Sequence, residues 1–186
     1  MNRLTSTIAI LIVAAVTAAV LVCPRHSLAA DTADINRRAE AALAKLYKTT
    51  PVAKTLGQKA KAVLVFPSIL KAGFIVGGQG GNGVLLVNGK AVAHYNISAA
   101  SYGLQAGVQE FGYAMFLMTD TARSYIDRSG GWEVGVGPSI VVVDAGIARS
   151  LTTTTAKDDV YAFIFSQKGL MAGIGIQGSK ITRINP

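Results

Sequence analysis

The sequence predicts a mainly β fold with a few helices: an antiparallel barrel-like or curled sheet preceded by a basic amphipathic N-terminal helix. Three observations carry this. After Lys61 the hydrophobic period changes from helical to strand-like. Asn88-Gly89 lies between two apolar runs and is the strongest hairpin signal in the chain, because both residues suit positive φ. Glycines recur at alternate strand positions, Gly135 with Gly137 and Gly173 with Gly175, which favours sharp bending over close approach of a ligand.

In chain order, the first segment reads as an export signal. Met1-Asn2-Arg3 is a short positive start, Leu4 to Cys23 carries no charge, and Ser27-Leu28-Ala29 places small residues where a signal peptidase needs them. The expected organisation is a signal peptide over 1–29 and a single domain over 30–186, with the protein in the periplasm or cell envelope. The alternative is a retained anchor, since the apolar run is nearly long enough to span a bilayer. Cys23 is the only cysteine, and bulky Val22 before it argues against a lipid anchor there. Cleavage at the expected place leaves a chain with neither a disulfide nor a thiolate nucleophile.

Asp34–Thr49 is read as an amphipathic helix. Ile35, Ala39, Ala42, Leu43 and Leu46 fall within an arc of about 100°, with Arg37, Arg38, Lys45 and Lys48 opposite. Thr50-Pro51 ends it and starts a second short helix. Residues 31–71 hold eight Lys or Arg (the four above with Lys54, Lys59, Lys61 and Lys71) against three acids, whereas 72–186 hold eight against seven. The positive charge therefore sits in one segment and seeks an anionic partner; export points to lipid rather than nucleic acid. The competing reading is a helix packed on the domain with its cations merely solvated.

A series of strands follows, joined by short turns. They are expected at Ala62–Phe66 (closed by Pro67), Gly73–Gln79, Gly83–Val87, Ala91–Ile97, Ser101–Glu110, Tyr113–Met118, Trp132–Val136, Ile140–Val143, Val160–Ser166, Leu170–Gln177 and Lys180–Ile184. Within Ser101–Glu110 the residues Ser101, Gly103, Gln105, Gly107 and Gln109 alternate with Tyr102, Leu104, Ala106 and Val108. Thr119–Arg128 is expected to be a helix, capped by Thr119 or Asp120 and stopped at Gly130-Gly131.

Catalytic chemistry finds little support. Gly78–Gly83 and Gly173–Gly178 match G-x-G-x-x-G, but β-like sequence follows each instead of the helix a phosphate site needs; the first is read as a turn and the second as a bent strand. His94 is the one histidine after the signal, no G-x-S-x-G elbow exists, and a zinc site needs more ligands. Asp158-Asp159 marks a loop. Glu110, at the end of a strand lined by Gly, Ser and Gln, is the acid of most interest, and a structural role is expected for it. No catalytic residue, metal or cofactor is assigned.

The stretch Ala62–Val87, AVLVFPSILKAGFIVGGQGGNGVLLV, resembles the opening of the SYLF domain, also called the Ysc84 family. The resemblance continues through Ser101-Tyr102-Gly103-Leu104-Gln105, Gly130-Gly131-Trp132-Glu133, Gly137-Pro138, Gln167-Lys168-Gly169-Leu170 and Gln177-Gly178-Ser179, covering nearly all of 35–184. It implies a lipid-binding domain: eukaryotic relatives bind phosphoinositides through a basic amphipathic N-terminal helix, some act on actin, and bacterial relatives are envelope proteins. The implied contacts are Arg37, Arg38, Lys45 and Lys48, with the further Lys residues beside them, and the implied partner is anionic phospholipid or a membrane surface, not nucleic acid. Two alternatives stand beside this: an envelope structural or interaction protein with a protein partner, and a hydrolase of envelope lipid or cell wall.

Overall fold

The computed structural model describes residues 28–128, 130–144, 147–148, 151, 156–169 and 178–184, with 28–30, 74–76 and 101–106 described in backbone only. The expected signal segment up to residue 27, with Cys23, lies outside the described residues. So do the expected strand at 170–177 and the Gly173–Gln177 part of the second glycine motif. Among the described residues no helix is long and apolar enough to cross a membrane.

Two helices come first, α1 (Leu28–Thr49) and α2 (Pro51–Lys59). α1 starts six residues earlier than expected. α2 opens on Pro51, whose missing N–H costs nothing in a first helical turn. Next come β1 (Ala62–Val87) and β2 (Lys90–Leu117), then α3 (Asp120–Ile126), β3 (Trp132–Glu133), β4 (Ile140–Val143), β5 (Val160–Gly169) and β6 (Lys180–Ile184). Thr119 is the cap of α3, its hydroxyl accepting from Ala122 N at 3.1 Å.

The strands form one six-stranded sheet in the order β3-β6-β2-β5-β4, with β1 on β2. The expected short strands are therefore fused: three merge into β1 and three into β2, which pair antiparallel along their whole length. The turn between them is the expected one, with Asn88 at φ 50° and Gly89 at φ 76°. β2 then does double duty, its first half pairing with β6 and its second half with β5. One further correction applies. β4 runs parallel to β5, so the sheet is not wholly antiparallel. Among the described residues the order ends at β3 and β4, which makes the sheet the curled one of the two expected forms.

A straight strand of 26 residues would reach about 85 Å, far beyond the size of such a domain. The hairpin must therefore bend. Pro67 does not end a strand; it lies in a β-bulge, where Pro67 and Ser68 stand against Gly112 alone. On the far side of β2, Ser166 and Gln167 of β5 stand against Phe111 alone, with Ser166 at φ 53°. The two bulges flank the same point of β2 and crease the sheet across three strands. Gly78–Gly83 is likewise strand rather than turn, and it passes close to the first half of β1. A Cβ at Gly83 would lie 2.8 Å from Val65 O and 2.5 Å from Phe66 Cδ1, so the hairpin folds back on itself only with glycine there.

Both faces of the sheet are packed. One carries Leu64, Phe66, Tyr95, Tyr113, Met115 and Trp132, closed by Ala122 and Ile126 of α3. The other carries Val63, Val65, Leu86, Phe116 and Phe163, covered by Ala39, Leu43, Leu46, Ala53 and Leu56 of α1 and α2. Tyr113, stacked on Phe66, is wholly buried; burial pushes its phenol well above the ordinary range, and its hydroxyl has no hydrogen-bond partner among the described residues. β3 stops at Glu133. Trp132 Nε1 donates to Val136 O at 2.9 Å, closing a turn in which Gly135 and Gly137 have positive φ, so these two serve a turn and not a strand face. Asp158-Asp159 forms the bend before β5. Asp159 accepts from Thr119 Oγ1 at 2.8 Å and from Ser139 N at 3.1 Å, and these bonds hold its carboxyl below the usual range. One carboxylate thus ties the starts of α3, β4 and β5.

Candidate functional site

The α1–α2 face is built by burial on its other side. Ala39 is fully buried, Leu46 is 2% exposed and Leu43 9%, with Ile35 and Ala42 packed beside them. The apolar stripe read from the sequence is real, but it lies against the sheet and is not free to enter a bilayer. A polar tie adds to this: His94 Nε2 on β2 donates to Asn36 Oδ1 on α1 at 2.8 Å. The rotation of α1 is fixed, and its basic arc faces outward.

Arg37, Arg38, Lys45, Lys48, Lys54, Lys59 and Lys61 are all exposed. Arg37 is paired with Asp34 on the same helix, and Lys61 Nζ lies 3.7 Å from Asp120. Among the described residues Arg38, Lys45, Lys48, Lys54 and Lys59 have no carboxylate partner. Arg38 and Lys45 are seven residues apart and so nearly eclipsed along the axis, about 10 Å from one another, with Lys48 about 60° from Lys45.

Lys71 does not belong with them. It is 6% exposed, on β1, opposite Gln109, which is 5% exposed. The bulge at Pro67-Ser68 explains this. Before it, Ala62, Leu64 and Phe66 face inward; the extra residue shifts the parity, so Ile69 and then Lys71 face inward, and Leu70 is left 54% exposed. The same row sets the sense of the alternation on β2, where Gln109 is buried and Val108 is 57% exposed.

Sequence reasoning missed a cleft. Between α1, α2, the start of β1 and the hairpin turn lies a half-open space of about 430 Å³, lined among others by Leu43, Tyr47, Lys54, Gly57, Gln58 and Leu86. Tyr47 lies over Gly57: a Cβ there would collide with the Tyr47 hydroxyl and stand 3.2 Å from Phe116 Cε1. The signal was present, because a glycine inside a helix costs about 1 kcal/mol relative to alanine and asks for a packing reason.

The residues weighed for chemistry do not converge. Glu110 is exposed and accepts from Ser68 Oγ at 2.7 Å, while His94, sixteen positions before it on β2, is engaged with Asn36 of α1. Neither lines the cleft. Among the described residues no group of three or more His, Cys, Asp or Glu could hold a metal ion.

Comparison with known proteins adds the lineage. A family model described as "Ysc84: Las17-binding protein actin regulator" matches residues 98–185, which spans β2 from Ser98 to the end of β6 and leaves α1 and α2 outside the match. "Beta cell expansion factor A" of Aeromonas veronii is 33% identical over 147 residues, 78% of this chain and 54% of that protein. "LAS seventeen-binding protein 3" of Saccharomyces cerevisiae is 28% identical over 131 residues, covering 67% of this chain and 28% of that one. The human "SH3 domain-containing YSC84-like protein 1" is 27% identical over 128 residues, 65% of this chain and 36% of its own. The chain thus spans about half of the bacterial relative and about a third of the eukaryotic ones; the bacterial relative is described as a factor and the yeast one as a binding protein. With the quoted motifs, the curled sheet and these matches in agreement, the chain carries a domain of the Ysc84 family, the SYLF domain.

Proposed function

We propose that this chain is a non-enzymatic binding domain of the cell envelope that holds an anionic lipid surface through the exposed basic face of α1 and α2. The observation that carries the reading is the set of five exposed cations, Arg38, Lys45, Lys48, Lys54 and Lys59, that have no carboxylate partner among the described residues, on helices whose apolar side is spent in the core. Each such cation near an anionic surface contributes about 1 kcal/mol, fading within a Debye length. With the stripe buried, the contact is peripheral and electrostatic rather than inserted. Arg37 and Lys61 contribute less because an acid already sits beside each, and Lys71 contributes nothing from inside the sheet. The envelope location rests on the export pattern of residues 1–29. Mass spectrometry of protein recovered from the envelope checks it, with an N-terminus at Ala30 or Asp31 expected and an intact Met1 or a diacylated Cys23 against it.

The binding test is co-sedimentation with vesicles rich in phosphatidylglycerol against vesicles of phosphatidylcholine. Replacing Arg38, Lys45 and Lys48 with Gln removes about 3 kcal/mol, roughly a hundredfold in affinity. Folding is unaffected, since exposed charges contribute little to stability. Raising the salt releases the wild type. Binding indifferent both to salt and to the three substitutions rules the face out.

A second reading has a specific observation behind it. The family description and the yeast relative's name are of proteins that bind a protein partner, and a buried helical stripe is what that reading requires. Vesicle binding that fails outright in a well-folded protein moves the function to an envelope protein partner.

A further inference from the structure

The cleft between α1, α2 and β1 is a second feature of the same face. Its floor is apolar, formed by Leu43, Val63 and Leu86, while its rim carries Lys54, Gln58 and Asn88. At about 430 Å³ it falls within the range of small-molecule sites, about 300–1,000 Å³. The rim holds one cation and two amide donors, and Lys54 has no carboxylate partner among the described residues. An apolar floor with a positive, donor-rich mouth is complementary to an alkyl chain ending in an anion. Neither a neutral polar ligand nor a cation uses both parts.

The helices hold this space open by two means. Tyr47 lies against Gly57, which lets α1 and α2 meet through a ring and a bare backbone instead of interlocking side chains. The Asn88-Gly89 turn then closes one end without a side chain at Gly89.

We propose that this cleft binds one anionic amphiphile, its alkyl chain against Leu43, Val63 and Leu86 and its head group at Lys54. The inference rests on the lipid reading of the basic face for its ligand class, but it places a single molecule in a defined site where that reading needs only a charged surface.

Isothermal titration calorimetry on the full chain tests it, using laurate and lauroyl lysophosphatidylglycerol below their micelle concentrations, with dodecyl maltoside as the uncharged control. Lys54→Gln, at an exposed position, is expected to weaken both anionic ligands about fivefold and leave the maltoside unchanged. Ala60→Phe, which fills the cleft from the end of α2, is expected to weaken all three at least tenfold, with a urea titration confirming that the variant is folded. Tighter binding of the lysophospholipid assigns a membrane lipid as the natural ligand, and tighter binding of laurate a free fatty acid; either supports the site. Equal binding by wild type and both variants overturns it, as does a wild type that binds neither anion.

The two readings separate cleanly. The Gln substitutions at Arg38, Lys45 and Lys48 weaken vesicle binding roughly a hundredfold while monomer binding is unchanged. A wild type that binds vesicles but no monomer sinks the cleft alone. One that binds monomer but no vesicle sinks the surface reading alone.

Discussion

Replacing Leu46 with alanine separates a helix that is part of the core from one that waits for a membrane. Leu46 is 2% exposed and packs in the cluster with Val65, Phe116 and Phe163. The change removes three carbons, about 2.4 kcal/mol of transfer free energy at about 0.8 kcal/mol each. A cavity adds to this, and buried leucine-to-alanine changes span about 2.7–5 kcal/mol in total. Leu46 also borders an open cleft of about 190 Å³ with Thr50, Val143 and Phe163, so the new space joins existing space and the cost falls near the low end, about 3 kcal/mol. With a denaturant slope of about 2 kcal/mol/M, the urea midpoint drops by about 1.5 M. Adding Leu43→Ala lowers it further, though by less than a simple sum, because the two are neighbours one turn apart. Vesicle binding by protein still folded is unchanged. A midpoint shift below about 0.3 M accompanied by lost vesicle binding would refute the packing argument, since it would mean that the stripe is free in solution and buried only in lipid.

Other substitutions probe the sheet and its joints. Gly89→Val costs about 1–2 kcal/mol through its left-handed conformation alone, because nothing lies within 4 Å of the added Cβ; an unchanged urea midpoint would show that the residue does not hold that conformation. At Ser166, which holds φ 53° in the crease of β5, valine costs about 1–2 kcal/mol by the same mechanism, read as an earlier unfolding midpoint. Asp159 has a folded pKa below its unfolded one, so its contribution is present above the unfolded value near 4 and is lost as pH falls through the folded value. Asp159→Asn is therefore less stable than wild type at pH 7, and thermal melts show that gap narrowing as the pH drops below about 4; a gap that stays constant with pH would place the effect elsewhere.

The sequence by itself determined the local features. Asn88-Gly89 made the turn because few other residue pairs accept positive φ twice in a row, and Ile140–Val143 and Lys180–Ile184 were legible to the residue from β-branched runs with polar ends. The amphipathic arcs of α1 followed from a period of 3.6, and Arg37, Arg38, Lys45 and Lys48 fell on the solvent side as that period required. What that period could not say was whether the apolar arc meets protein or lipid, because both are apolar; the answer depends on Val65, Phe116 and Phe163, which arrive from distant strands. Nor could it show that Pro67 bends a strand instead of ending it. A bulge is a relation between two strands, visible only when Pro67 and Ser68 are set against Gly112. From that one inserted residue follow the inward turn of Lys71 and the exposure of Leu70, since a shift of one position exchanges the two faces of a strand. The cleft belongs to the same class: its walls come from two helices and both ends of a 26-residue strand, and only the fold brings them together.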